Sequence, residues 1–156
     1  MQNGSKLLKV VSILMIVFGG LGILGVLIGL AGTGLMAAMT DELAAFGIDE
    51  ELMQDATTAL YIGLIGFTAQ LAAGIIGVKN HNKPEKHNIC LLFACIVIVL
   101  QLFGNIFDIA TGGLTGMTVM NIVIGLAVPV LYLIGTLQLK KLADGGQEQP
   151  PVQPMH

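Results

Sequence analysis

Residues 77–90 read GVKNHNKPEKHNIC. The stretch holds three lysines, two histidines and a proline, and a long apolar run lies on either side of it. The chain has seven lysines and no arginine, so three lysines in one short segment require an explanation. The positions of the other four supply it. Lys6 and Lys9 precede the first apolar run, and Lys140 and Lys141 follow the last.

Four runs carry no acid, lysine or histidine: those between Lys9 and Asp41, Asp55 and Lys79, His87 and Asp108, and Asp108 and Lys140. Each reaches the roughly 20 residues that a helix needs to cross about 30 Å of hydrocarbon. The composition agrees, with 54% hydrophobic and 11% charged residues and a mean hydropathy of +0.85. A soluble domain carries about 25% charged residues, and so short a chain has little interior in which to hide its apolar surface. A membrane β-barrel would alternate apolar and polar residues over segments of about ten residues; these runs are continuous. The sequence therefore predicts an all-α, polytopic membrane protein: an antiparallel bundle of four transmembrane helices.

Four crossings put all three lysine groups on one side. Lysine excess near helix ends marks the cytoplasmic face, so both termini and the central loop are expected inside a cell's cytoplasmic (inner) membrane. Asp41, Glu42, Asp49, Glu50, Glu51, Asp55 and Asp108 then fall outside with no base among them, while Glu85, Asp144 and Glu148 fall inside with the lysines. The outer face carries −7 and the inner face +4, which together give the net charge of −3. Lys79, Lys83, Lys86, Lys140 and Lys141 are expected to contact anionic lipid headgroups, at about 1 kcal/mol per residue. The small basic cluster has no interleaved aromatics and sits at the bilayer, which argues against nucleic acid. The first apolar run is about twice the 7–15 residues of a signal peptide, and the first helix is expected to stay uncleaved.

Turn and capping signals place the helices at about 6–39, 50–79, 84–108 and 117–142. Residues of about 40–55 form an acidic hairpin tip, with Thr40 and Asp49 as N-caps and Gly47 as a stop. Pro84 opens the third helix, where its missing N–H costs nothing. Asp108 ends that helix or caps the glycine-rich turn after it. Pro129 bends the fourth helix. Residues 143–156, rich in proline and glutamine, form a disordered cytoplasmic tail.

Helices in lipid associate through small residues and interhelical hydrogen bonds. A seam should therefore repeat every 3.5 positions. The second helix offers Ala56, Ala59, Gly63, Gly66, Gln70, Ala73 and Gly77. The first offers Ser12, Gly19, Gly22, Gly25, Gly29 and Gly32, the third Cys90, Ala94, Val97, Gln101, Gly104 and Asp108, and the fourth Thr118, Asn121, Gly125, Val128, Tyr132 and Gly135. Gly22, Gly25, Gly29, Gly63, Gly66, Ala73 and Gly77 are expected to carry the closest packing, between the first two helices. Leucine at Gly25 or Gly66 should then disrupt packing more than Val99→Leu on a lipid face.

The polar intramembrane candidates are Gln70, Gln101, Asn105, Asn121 and Asp108. As isolated amides, Gln70, Gln101, Asn105 and Asn121 read as interhelical glue, worth about 0.6 kcal/mol each. As a set they could line a polar path, although Gln70 lies nearer the inner surface and Gln101 nearer the outer. Cys90 and Cys95 are about 140° apart on one helix and cannot pair. His81 and His87 lack the partners of a metal site, and the acidic tip lacks the ligand spacing of an EF-hand loop. There is no nucleophile–base pair and no phosphate-cradling loop, so neither an enzyme, a metal nor a cofactor is expected. The outline resembles that of small tetraspan membrane proteins, without a motif that ties it to one family. The leading expectation is a non-enzymatic membrane protein acting through helix contacts, as a homo-oligomer or with a membrane partner. The alternative is a small transporter or channel with its path along the polar candidates.

Overall fold

The computed structural model describes residues 3–39 and 50–145. Helix α1 spans Asn3–Ala37, α2 Glu50–Asn80, α3 His87–Gly112 and α4 Gly116–Gly145, with a single 3-10 turn at Pro84–Lys86 leading into α3. Among the described residues, all four helices are long and apolar enough to cross a membrane. The acidic tip at 40–49, with Thr40, Gly47 and Asp49, and the tail from 146 onward lie outside the described residues.

Each helix packs against its neighbours in the chain, and α4 closes the ring against α1. The α1–α2 contact is the most extensive. It is antiparallel and regular: Ile16 and Ser12 meet Gly74, Gly19 meets Leu71, Gly22 meets Phe67, Val26 meets Gly63, and Gly29 meets Leu60. This arrangement puts Lys6, Lys9, Lys79, Lys83, Lys86, Lys140 and Lys141, all exposed, at one end of the bundle. We call it the lysine end, and the opposite end, with Asp55 and Asp108, the acidic end.

The seam of α1 departs from the expected one. Its inward face runs Leu8, Ser12, Met15, Gly19, Gly22, Val26, Gly29 and Thr33, a strict alternation of four and three. Gly25 and Gly32 are exposed, and a Cβ placed on either meets nothing within 4 Å. The reason is rotational. Two successive steps of three, Gly19 to Gly22 to Gly25, turn the stripe back by about 120° at 3.6 residues per turn, so the four-step must come next and Val26 takes the seam.

Three boundaries also differ. Helix α3 runs four residues past Asp108 and stops at Gly112, where Gly113 adopts a φ of 72° that glycine alone takes without strain. Asp108 is therefore an exposed helical residue and not a cap. Helix α4 begins at Gly116 because Thr115 is a working N-cap: the Thr118 backbone N–H donates to Thr115 Oγ1 at 3.1 Å. Pro84 opens the 3-10 turn and not α3 itself. Histidines bracket this turn, with His81 Nδ1 2.6 Å from the Val78 carbonyl and His87 Nδ1 2.8 Å from that of Pro84.

Packing is concentrated in the lysine half. The fully buried side chains there include Leu8, Ser12, Met15, Cys90, Pro129, Tyr132, Thr136 and Leu139. The buried hydroxyls of Ser12 and Thr136 donate to carbonyls of their own helices, at 2.6 and 2.9 Å. They thereby satisfy themselves without water. The outside of the bundle is apolar, with Leu21, Ile28, Val99, Ile106 and Val123 exposed.

Candidate functional site

Toward the acidic end, a partly open cavity of about 210 Å³ lies between α2 and α3. Helix α2 contributes Ala59, Ile62, Gly63, Gly66, Phe67 and Gln70, and α3 contributes Leu100, Gln101, Gly104, Asn105, Phe107 and Asp108. The seam glycines make the space. Gly66 does not carry the close packing expected of it, since a Cβ there would meet no atom within 4 Å, and one on Gly104 would meet only Ile62, at 3.7 Å.

Four of the five polar candidates converge here. Their depth follows from the pairing of Gly104 with Ile62. Gln101 then stands level with residue 65, and Gln70 lies five residues nearer the lysine end, about 7.5 Å deeper at 1.5 Å per residue. Asp108, Asn105, Gln101 and Gln70 thus descend the cavity in steps of about one turn. Gln70 does lie nearer the lysine end than Gln101, as expected, and both nevertheless line the same cavity. The side chain of Asn121 lies outside the described residues.

Among the described residues, these groups make no interhelical hydrogen bonds. Asn105 Nδ2 is buried without a partner among the described residues, and Gln70, only 6% exposed, makes no side-chain hydrogen bond to another described residue. A buried donor left unpaired costs about 1–3 kcal/mol, a cost that falls on Asn105 Nδ2 unless water or a solute reaches it. Gln101 reaches across toward α4, where its Nε2 would lie 2.7 Å from a Cβ on Gly125. Any larger residue at that position would push the amide out of place.

One turn below Gln70 the cavity ends. Tyr132, fully buried, crosses from α4 to α2 and donates its hydroxyl hydrogen to the Ala73 carbonyl at 3.0 Å. Cys90 is in contact with it from α3, and Ala94 and Val97 close the layer. Gly77 lets this plug form, because a Cβ there would collide with Ser12 Oγ and with the Tyr132 ring. Beneath it, Leu8 lies over Gly135. Sequence reading placed Tyr132 and Ala73 in seams but missed their bond, since a tyrosine in a seam looks like any other large apolar residue.

The other expected packing residues divide by contact. Gly22 faces Phe67, Gly29 faces Leu60, and Gly63 faces Val26 and Phe67. The tightest approaches include Gly19, Gly74 and Gly135, whose Cβ positions fall 2.8–3.1 Å from neighbouring backbone atoms. Gly74 was not anticipated. Adjacent Ala73 continues the expected stripe, but Gly74 is the residue that turns toward α1.

Fold and site together define a class: a helical bundle with four membrane-length apolar helices, packed shut at its basic end and enclosing a polar cavity toward its acidic end. No protein-family model, curated protein or solved structure matches the chain.

Proposed function

We propose that this is a multi-pass protein of the cytoplasmic membrane, with its lysine end inside, that takes a small polar solute into the α2–α3 cavity from outside. The reading is non-enzymatic and belongs to the transporter class. One observation carries it: Gln70, Gln101, Asn105 and Asp108 line one cavity among apolar side chains, and Asn105 Nδ2 has no hydrogen-bond partner among the described residues. Ionisable and polar groups inside a membrane face cavities and mark solute pathways by default. The Tyr132 plug argues for a transporter over a channel, because a channel needs a continuous path. The exposed lysines, Lys79, Lys83, Lys86, Lys140 and Lys141, anchor the inner surface on anionic lipid.

A second reading, action through helix contacts with another copy or a membrane partner, is favoured by the uncovered Gly25 and Gly32 seven residues apart on α1. The same assay separates the two. Proteoliposomes should take up at least one member of a panel of radiolabelled amines, sugars and amino acids, and Gln70→Leu should abolish that uptake while leaving the thermal midpoint in detergent intact. Absence of uptake across the panel, or uptake unchanged in Gln70→Leu, would count against the solute reading and leave helix contact as the better account.

A further inference from the structure

The solute has a definable chemistry, and this inference rests on the cavity reading above. We infer that the cavity selects a small organic cation, an ammonium group on an apolar body with an ether, hydroxyl or carbonyl oxygen a few atoms away. Three observations meet in this assignment.

Charge comes first. Among the described residues, Asp108 is the only ionisable side chain lining the cavity, and it is exposed at the acidic end. Asp55 lies on the same end of α2, half-buried, and Glu51 is exposed one turn before it. All seven lysines are at the far end of the bundle. An anion in this cavity would face a carboxylate with no base to offset it, whereas an ammonium group would find its counter-charge.

The second observation is the unpaired donor. Asn105 precedes Asp108 by about one helical turn, and its buried Nδ2 has no acceptor among the described residues. A ligand oxygen a few atoms from the ammonium group would supply one once the carboxamide turns into the cavity, because Nδ2 as placed is shut off from it. An alkylammonium ion without such an oxygen would leave the amide N–H unpaired.

The third is the lining. Ile62, Phe67, Leu100 and Phe107 form the apolar walls. Aromatic faces attract cations, and the walls accommodate an apolar body. An apolar cavity of about 150 Å³ holds a benzene molecule; the 210 Å³ here, partly open, admits a ring with a short polar arm. A divalent metal does not fit, since no group of three or more histidine, cysteine or acidic side chains gathers among the described residues.

The test uses three probes alike in shape and ether oxygen but different in charge: 2-phenoxyethylammonium, 2-phenoxyethanol and phenoxyacetate. Each is titrated calorimetrically into the purified full chain in an uncharged detergent. The ammonium probe should bind at least tenfold more tightly than the alcohol, and phenoxyacetate should not bind. Asp108→Asn, an exposed position whose change leaves the fold intact, should weaken the ammonium probe about tenfold and leave the alcohol unchanged. Equal affinity for ammonium and alcohol, with both lost in Gln70→Leu, would overturn the charge assignment while the cavity reading survives. Binding of none of the three, or binding indifferent to both Asp108→Asn and Gln70→Leu, would overturn both.

Discussion

Gly74→Ala should destabilise the protein, while Gly25→Ala, the same chemical change, should not. A Cβ on Gly74 would stand 2.8 Å from the Ser12 carbonyl oxygen and 3.0 Å from the Ile16 backbone nitrogen. Both are backbone atoms of α1, so no side-chain rotation relieves the clash and the helices must separate. Overpacking of this kind costs about 1–3 kcal/mol. For a chain of this size the thermal midpoint should fall on the order of 5 °C. At Gly25 nothing lies within 4 Å, and alanine gains up to about 1 kcal/mol in helix propensity over glycine. That variant should melt at the wild-type temperature or slightly above it. Thermal unfolding in detergent reads both, and equal midpoints for the two variants would refute the α1–α2 register.

These two glycines differ in a way that hydropathy and spacing do not encode. Four apolar runs and three lysine groups made the bundle, its number of helices and its polarised ends legible, because hydropathy and charge are properties of single positions. The seams of α3 and α4 were legible in the lysine half, where Cys90, Ala94 and Val97 are buried, as are Tyr132 and Gly135, but Asp108, counted in the same α3 stripe, is exposed. Glycine-rich α1 was harder. Gly25 and Val26 both extend a plausible stripe from Gly22, and only the accumulated rotation of α1 against a particular partner chooses between them. The convergence of Gln70 with Gln101 was hidden for a related reason. Depth along one helix can be counted from its ends, but the offset between two helices is set by contacts such as Gly104 on Ile62. The N-cap at Thr115 was obscured by the surrounding glycines, which suggested a longer loop.

Tyr132→Ala should be the most damaging single truncation in the core. The ring is fully buried between α2, α3 and α4, and its hydroxyl group is bonded to the Ala73 carbonyl across the bundle. Removing a buried aromatic side chain costs about 3–5 kcal/mol, because the surroundings collapse only partly into the space. Here the space would also join the cavity above to the lysine half below. Tyr132→Phe keeps the ring and deletes only the hydrogen bond, so its cost should stay near 0.5–1.5 kcal/mol. Denaturation of the two variants side by side separates packing from bonding. If phenylalanine proved as harmful as alanine, the plug would depend on its hydrogen bond and not on its volume. If neither mattered, Tyr132 would not be a plug.

The arrangement as a whole, a bundle sealed at its lysine end and open to a polar cavity from the acidic side, is tested most directly by a thiol at Gly66. That position lines the cavity and has room for a side chain. In a Cys95→Ala chain carrying Gly66→Cys, the other thiol, Cys90, is fully buried at the plug and serves as the internal control. A membrane-impermeant thiol reagent added to intact cells should modify the new cysteine and leave Cys90 untouched, and the same reagent added to inside-out vesicles should modify neither. A cysteine at 66 that is inert from outside, or that reacts only from the cytoplasmic side, would contradict the account.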